Sequence, residues 1–171
     1  MTSTISLNQV NLPAVAGLVA AIQAAPAKAH TKWSSDVRWT GAFQTEASVR
    51  NFDAIRSDEP ATLGGSDTAP NPVEQLLSAL GNCLAVGYAA NATIAGIAID
   101  ELSISLEGDL DLHVFLGLAE GHAGFSAIRA VVDLQAGASD EAIADLHAKV
   151  AATSPVGHTL NAAVPLTISP R

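Results

Sequence analysis

The apolar positions change period several times along the chain, and each change predicts an element. In residues 12–25, Val15, Leu18, Val19 and Ile22 fall on one helical face, with Asn11 as a cap and Pro13 in the first turn, so the spacing predicts a short helix that docks by that face. Beyond Pro26 the period shortens to two. The stretches 36–43, 46–51 and 52–57 read as consecutive antiparallel strands of a meander, punctuated by Gly41 and polar residues. Residues 58–72 contain Asp58-Glu59-Pro60, Gly64-Gly65 and Pro70-Asn71-Pro72; they cannot be helical and form a loop. A helical period returns from Pro72 to about Thr93 through Leu76, Leu77, Leu80, Cys83, Leu84 and Gly87, started by Asn71 or Pro72 and ended by Gly96. This helix is apolar or small nearly all round. Its Ser78, Ala79, Gly81, Ala85 and Ala89 side lets another element approach closely, which places it in the middle of a molecule. Strands at 97–107, 126–135 and 164–168, and a helix at 139–153 opened by Ser139 and Asp140, complete the pattern. Runs of strands, rather than strict alternation with helices, give the class α+β.

Composition and charge remove several functions. With 49% apolar residues in 171, the chain can bury a core as one domain over residues 31–171, with residues 1–30 as a helical extension. A formal charge of −9, with 8 Lys+Arg and no basic cluster, leaves no electrostatic footprint for a phosphate backbone or an anionic membrane surface, so neither nucleic acid nor membrane is an expected partner. The apolar start followed by Ala25-Pro26-Ala27 looks superficially like a cleavable leader, but a leader carries an early positive region and the first basic residue is Lys28. The segment is therefore read as mature sequence, too short and interrupted to span a bilayer. One cysteine excludes a disulfide framework within the chain, and a reducing cytoplasm is the simplest compartment.

Candidate chemistry gathers on that cysteine. Cys83 lies in a helix reached through a Gly/Pro-rich loop, and any redox chemistry must run through this solitary sulfur with an outside thiol completing the cycle. A free cysteine in a Leu/Ala helix is also often a small inert hydrophobe, and the sequence leaves both readings open. His30, His113, His122, His147 and His158 form no pair at i, i+3 or i+4, so no metal site is expected. The Asp109-Leu110-Asp111 turn lacks the remaining ligands of a calcium loop and reads as a solvated connection, while Gly64-Gly65 lacks the lysine of a phosphate loop. No cofactor is expected. Ser154 with His158 lacks the nucleophile elbow and acid of a serine hydrolase.

Several ordered blocks carry a resemblance beyond composition. Asp58-Glu59-Pro60, Leu63-Gly64-Gly65, Pro70-Asn71-Pro72, Glu74-Gln75-Leu76-Leu77 and Ala79-Leu80-Gly81-Asn82-Cys83-Leu84 resemble the signature of the OsmC/Ohr family, the osmotically induced and organic-hydroperoxide-resistance proteins. Further on, residues 106–111, 124–128 and 154–160 (the last being Ser154-Pro155-Val156-Gly157-His158-Thr159-Leu160) match its later blocks in order, so the likeness covers about residues 33–168.

The resemblance implies an α+β homodimer in which antiparallel strand layers wrap around central helices from both subunits, with a thiol near the interface. It also implies a peroxidatic cysteine at Cys83, oxidised by organic hydroperoxides. The family resolves the resulting sulfenic acid with a second cysteine, and Ser154 stands at that position here, so an external thiol reductant would be needed. A glutamate near the start of the cysteine helix and a strand arginine tune the thiolate in that family. Glu74 fits the broader pattern one position out of the better-known register, and nine helical steps put it on the face opposite Cys83; for the cation Arg38, Arg50 and Arg56 are available and no motif singles one out, with Arg50 or Arg56 favoured by proximity to Asp58-Glu59-Pro60. Ser154 and His158 are the candidate substrate contacts. Two functions follow: a one-cysteine peroxidase reducing organic hydroperoxides in oxidative-stress defence, or a non-catalytic dimer binding a small hydrophobic ligand.

Overall fold

The computed structural model describes residues 6–170; residues 1–5, where the predicted extension over 1–30 begins, and Arg171 lie outside the described residues. The chain divides into two compact units, Pro13–Leu76 and a second built from Met1–Leu12 and Leu77–Arg171. Helix α1, Leu12–Ala24, forms where the spacing predicts it. Its docking follows only at one end of that face: Ile22 is half-buried, while Val15, Leu18 and Val19 are exposed. The reason lies in the composition LPAVAGLVAAIQA, which is apolar on every side and therefore favours a helix without singling out a face for burial.

In Pro13–Leu76, strands β1 (Asp36–Gly41), β2 (Gln44–Ser48) and β3 (Ile55–Ser57) form an antiparallel sheet in the order β1-β2-β3, the expected meander. The third strand starts three residues later than predicted because Arg50 adopts φ 52° and Phe52 N–H donates to Val49 O at 3.2 Å, turning the chain where an extended strand was read. The register places Arg38 opposite Glu46 and Glu46 opposite Arg56 on one face, and Val37, Ala47 and Ile55 on the other. The loop after β3 closes around Asp58, 1% exposed. Its carboxylate accepts from the backbone N–H of Glu59 (2.9 Å), Ser66 (3.2 Å) and Thr68 (3.2 Å) and from the Thr68 hydroxyl (2.8 Å). Burial opposes the charge, but these donors outweigh it and hold Asp58 below the ordinary carboxylate range.

Helix α2, Pro72–Ile94, opens on a reciprocal cap: Glu74 N–H donates to Asn71 Oδ1 at 2.9 Å, and Asn71 N–H donates to Glu74 Oε2 at 2.8 Å. It ends in a Schellman motif, with Ile97 N–H bonded to Ala92 O at 2.8 Å and Gly96 at φ 73° supplying the left-handed residue. In the second unit, β4 (Ile99–Asp109) and β5 (Ala127–Ala136) make a long antiparallel pair, with the short α3 (Leu112–Phe115) between them. Helices α4 (Asp140–Thr153) and α5 (Pro155–Asn161) follow. Tyr88 and Ala92 from α2, Ile97, and Leu146 and Val150 from α4 form the buried cluster, and Leu102, Ile104, Val132 and Leu134 pack on it from the paired strands. Asn8 ties the preceding segment to the end of α2: its Nδ2 donates to Ile97 O at 2.9 Å, and its Oδ1 accepts from Ile99 N–H at 2.9 Å.

One expectation changes in this unit. The strand expected at 164–168 is absent; residues 163–170 carry no regular structure, with Val164, Leu166 and Ile168 exposed. A period of two encodes an extended chain, but a strand exists only when another edge accepts its hydrogen bonds. The acidic connection after β4 is exposed, as expected, and Arg129 on β5 makes two bonds to Asp109 (2.6 and 2.8 Å) and one to Glu107 (2.5 Å) across the pair. Hydrogen bonding to Arg129 holds the Asp109 carboxyl below its ordinary range.

Candidate thiol site

Small and large residues alternate along α2 in a way that brings α4 onto it. Gly87 faces Val150, 1% exposed, and a methyl at position 87 would lie 3.1 Å from Val150 Cγ1. The two helices run antiparallel there. One turn before Gly87 is Cys83 and one turn after Val150 is Ser154, so the close crossing carries the sulfur and the hydroxyl to the same level. Sγ and Oγ lie 3.3 Å apart. In the other direction along the crossing, Tyr88 Oη lies 2.6 Å from His147 Nδ1 with the rings edge to face, and burial pushes the Tyr88 hydroxyl up from its ordinary pKa.

Ser154 occupies a junction. It ends α4, caps α5 by accepting from Gly157 N–H at 3.1 Å, and is 4% exposed, while Pro155 follows as the first residue of α5. Cys83 is half-buried. It lines a cavity of about 430 Å³ together with Val86, Gly87, Ala90, Ser154 and the amides Asn82 and Asn91. A second cavity of about 530 Å³ has Ser154 in its wall as well, with Leu80, Leu84, Phe125, Ile128 and His158. The buried hydroxyl therefore borders both spaces.

The remaining sequence candidates are held by other contacts. Glu74 engages Asn71 in the cap of α2, a role announced by Asn71 standing three residues before a glutamate at the start of an apolar helix. Arg38 and Arg56 share Glu46, at 2.5 and 3.6 Å, and the Arg50 guanidinium sits 4.6 Å over the Phe52 ring. His158 Nε2 lies 3.0 Å from Ala152 O, back toward the end of α4. Of the five candidates, the structure brings Cys83 and Ser154 into contact and sets His158 on the wall of the larger cavity. Sequence reading missed the Gly87–Val150 crossing as the device that does this; the available signal was a glycine on the otherwise Leu-rich stripe of α2. Among the described residues no group of three or more His, Cys, Asp and Glu side chains is arranged to hold a metal ion, and no helix is long and apolar enough to cross a membrane.

Solved structures share this arrangement of elements. An OsmC-like protein from Mycoplasma pneumoniae superposes with a TM-score of 0.67 at 20% identity, over 77% of this chain and 88% of the other. The organic hydroperoxide resistance protein OsmC from Legionella pneumophila gives 0.54 at 18%, over 77% and 91%. The organic hydroperoxide resistance protein OhrB of Bacillus subtilis gives 0.51 at 17%, over 74% and 90%. At these identities the likeness establishes the fold. No curated protein matches the sequence. The model of the OsmC-like protein family matches residues 64–169, which hold the thiol helix, the paired strands β4 and β5 and the Ser154 junction, and the chain belongs to that family.

Proposed function

We propose that this chain is a one-cysteine peroxidase that reduces organic hydroperoxides in the cytoplasm, with Cys83 as the nucleophile and an external thiol as reductant. The observation that carries the reading is the half-buried sulfur on the wall of an apolar cavity, 3.3 Å from the buried Ser154 hydroxyl, and the resemblance puts the family's second cysteine at that position. The Cys83 thiolate attacks one peroxide oxygen: the S–O bond forms, the O–O bond breaks, and the alkoxide takes a proton and leaves as an alcohol. Sulfur is oxidised to the sulfenic acid. A thiol then displaces water to give a mixed disulfide, and a second thiol releases the Cys83 thiol and a small disulfide.

Arg50 is the cation this reading assigns. Among the described residues Arg38 and Arg56 are drawn to Glu46, whereas the Arg50 guanidinium rests over the Phe52 ring. Glu74 acts through the cap it makes with Asn71, fixing the start of the helix that carries the thiol. Turnover of cumene hydroperoxide in excess dithiothreitol, abolished in Cys83→Ser and lowered at least tenfold in Arg50→Ala, is the expected result. Full turnover by Cys83→Ser ends the proposal.

The larger cavity favours a second reading. Its walls of Leu80, Leu84, Phe125 and Ile128 suit a small hydrophobic ligand, bound without chemistry at the sulfur. Binding of an apolar fluorescent probe that survives Cys83→Ser, in a protein with no peroxide turnover under any thiol, would decide for it.

A further inference from the structure

We propose that Ser154 is a dedicated hydrogen-bond donor to the Cys83 sulfur, fixing the position of the atom that the peroxidase reading makes the nucleophile. This deepens the peroxidase reading at the same site. A serine hydroxyl has one hydrogen to give and lone pairs to receive. Gly157 N–H, 3.1 Å from Oγ, already serves an acceptor lone pair of Ser154 and is itself fixed by the turn that starts α5. The nucleophile of the peroxidase reading is a thiolate, which only accepts, and Ser154 Oγ lies 3.3 Å from Cys83 Sγ. The hydroxyl hydrogen and the sulfur lone pair then match without leaving either group unsatisfied.

Burial gives that match its weight. Ser154 is 4% exposed, so water has little access to the hydroxyl as a competing acceptor. Position 157 adds a steric reason for the same geometry: a methyl there would lie 3.1 Å from Ser154 Oγ, tighter than ordinary contact, and glycine lets Oγ hold its place between the amide and the sulfur. A cysteine at 154 would instead convert the pair to a disulfide, and an alanine would leave the sulfur without this donor. Serine thus trades an internal resolving step for a permanently presented hydroxyl, and a sulfenic acid formed on Cys83 stays available to an incoming thiol.

The test reads the sulfur without peroxide. Alkylation of Cys83 by iodoacetamide is timed at one neutral pH for the natural chain and for Ser154→Ala, Ser154→Gly and Ser154→Thr, with thermal midpoints taken alongside. Hydrogen bonds to charged groups are strong enough that Ser154→Ala and Ser154→Gly should slow alkylation by about tenfold. Ser154→Thr, which keeps the hydroxyl and the cap, should stay within about twofold. Glycine is well tolerated as a helix N-cap, so Ser154→Gly serves if the alanine variant does not fold. Alkylation at the natural rate in both hydroxyl-free variants, with only the thermal midpoint lowered, overturns the assignment by showing a cap and nothing more. A Thr variant as slow as Ala overturns it too. Inertness toward hydroperoxides with the alkylation pattern intact would sink the peroxidase proposal while the Ser154 assignment stands; turnover with no alkylation effect would do the reverse.

Discussion

Two side chains set most of what can be tested at the scale of single residues. Asp58 is charged, buried and surrounded by donors, and its folded-state pKa is depressed below that of the unfolded chain. Its contribution to stability is therefore present above the unfolded carboxyl value, about 3.9, and is lost as pH falls through the lower folded value. Urea unfolding followed from about pH 6 to about pH 3 should show stability falling in the acid limb, and Asp58→Asn should lower the midpoint at neutral pH and flatten that limb. The same loop constrains Gly65, where a methyl would lie 1.8 Å from Glu59 O, so Gly65→Ala should unfold the protein at a clearly lower temperature even though it changes no charge. At the thiol, Ser154→Cys should form a disulfide with Cys83 on peroxide treatment, visible as loss of both free thiols, because the present 3.3 Å contact already brings the two side chains together. Intact free thiols after such treatment would show that the sulfur does not become a sulfenic acid.

Among the elements, the crossing of α2 and α4 decides whether a site exists. Gly87→Ala should destabilise the fold by about 1–2 kcal/mol in urea unfolding: the added methyl strains against Val150 by up to about 3 kcal/mol, partly offset by about 1 kcal/mol of helix propensity. Peroxide turnover should fall further than stability does, because the same strain moves Ser154 relative to Cys83. Asn71→Ala removes the cap on α2 and should cost about 1 kcal/mol, with little effect on the thiol if Glu74 acts only through that cap. These elements were legible in the sequence to different depths. The helix from Pro72 and its end at Gly96 followed from period and punctuation, as did the paired strands and the helix after Ser139. Helix α5 was not, since seven residues with a proline at the start and a glycine inside show too little periodicity to stand out from a loop.

At the scale of the whole molecule, the homodimer that the family resemblance implies is a proposal, and it needs apolar surface to bury. Within the unit Pro13–Leu76, Trp33 (82%), Val37 (66%) and Trp39 (72%) are open to solvent, and within the other unit Val86 (69%) and Val131 (68%) are as well. Isolated exposed hydrophobics are ordinary, but Val37 and Trp39 alternate onto one face of β1 and Val86 lies on the helix that carries the thiol, and large exposed apolar side chains of this kind suit surfaces that associate. The expected solution state is a homodimer, seen in sedimentation equilibrium as about twice 17.4 kDa, and Val86→Glu should shift it toward single chains. A single-chain mass at micromolar concentration would overturn this.

Sequence alone determined the class, the principal elements and the position of the thiol on an apolar helix, because each rests on local causes: period, caps, prolines and glycines. It also determined that no second cysteine exists to close a cycle within the chain. Only the tertiary structure decided that Ser154 meets Cys83, that Glu74 turns back to cap its own helix, and that the stretch around Val164, Leu166 and Ile168 lacks a strand to pair with. Those outcomes depend on which atoms another element brings within about 3 Å, and spacing along one segment carries no record of that.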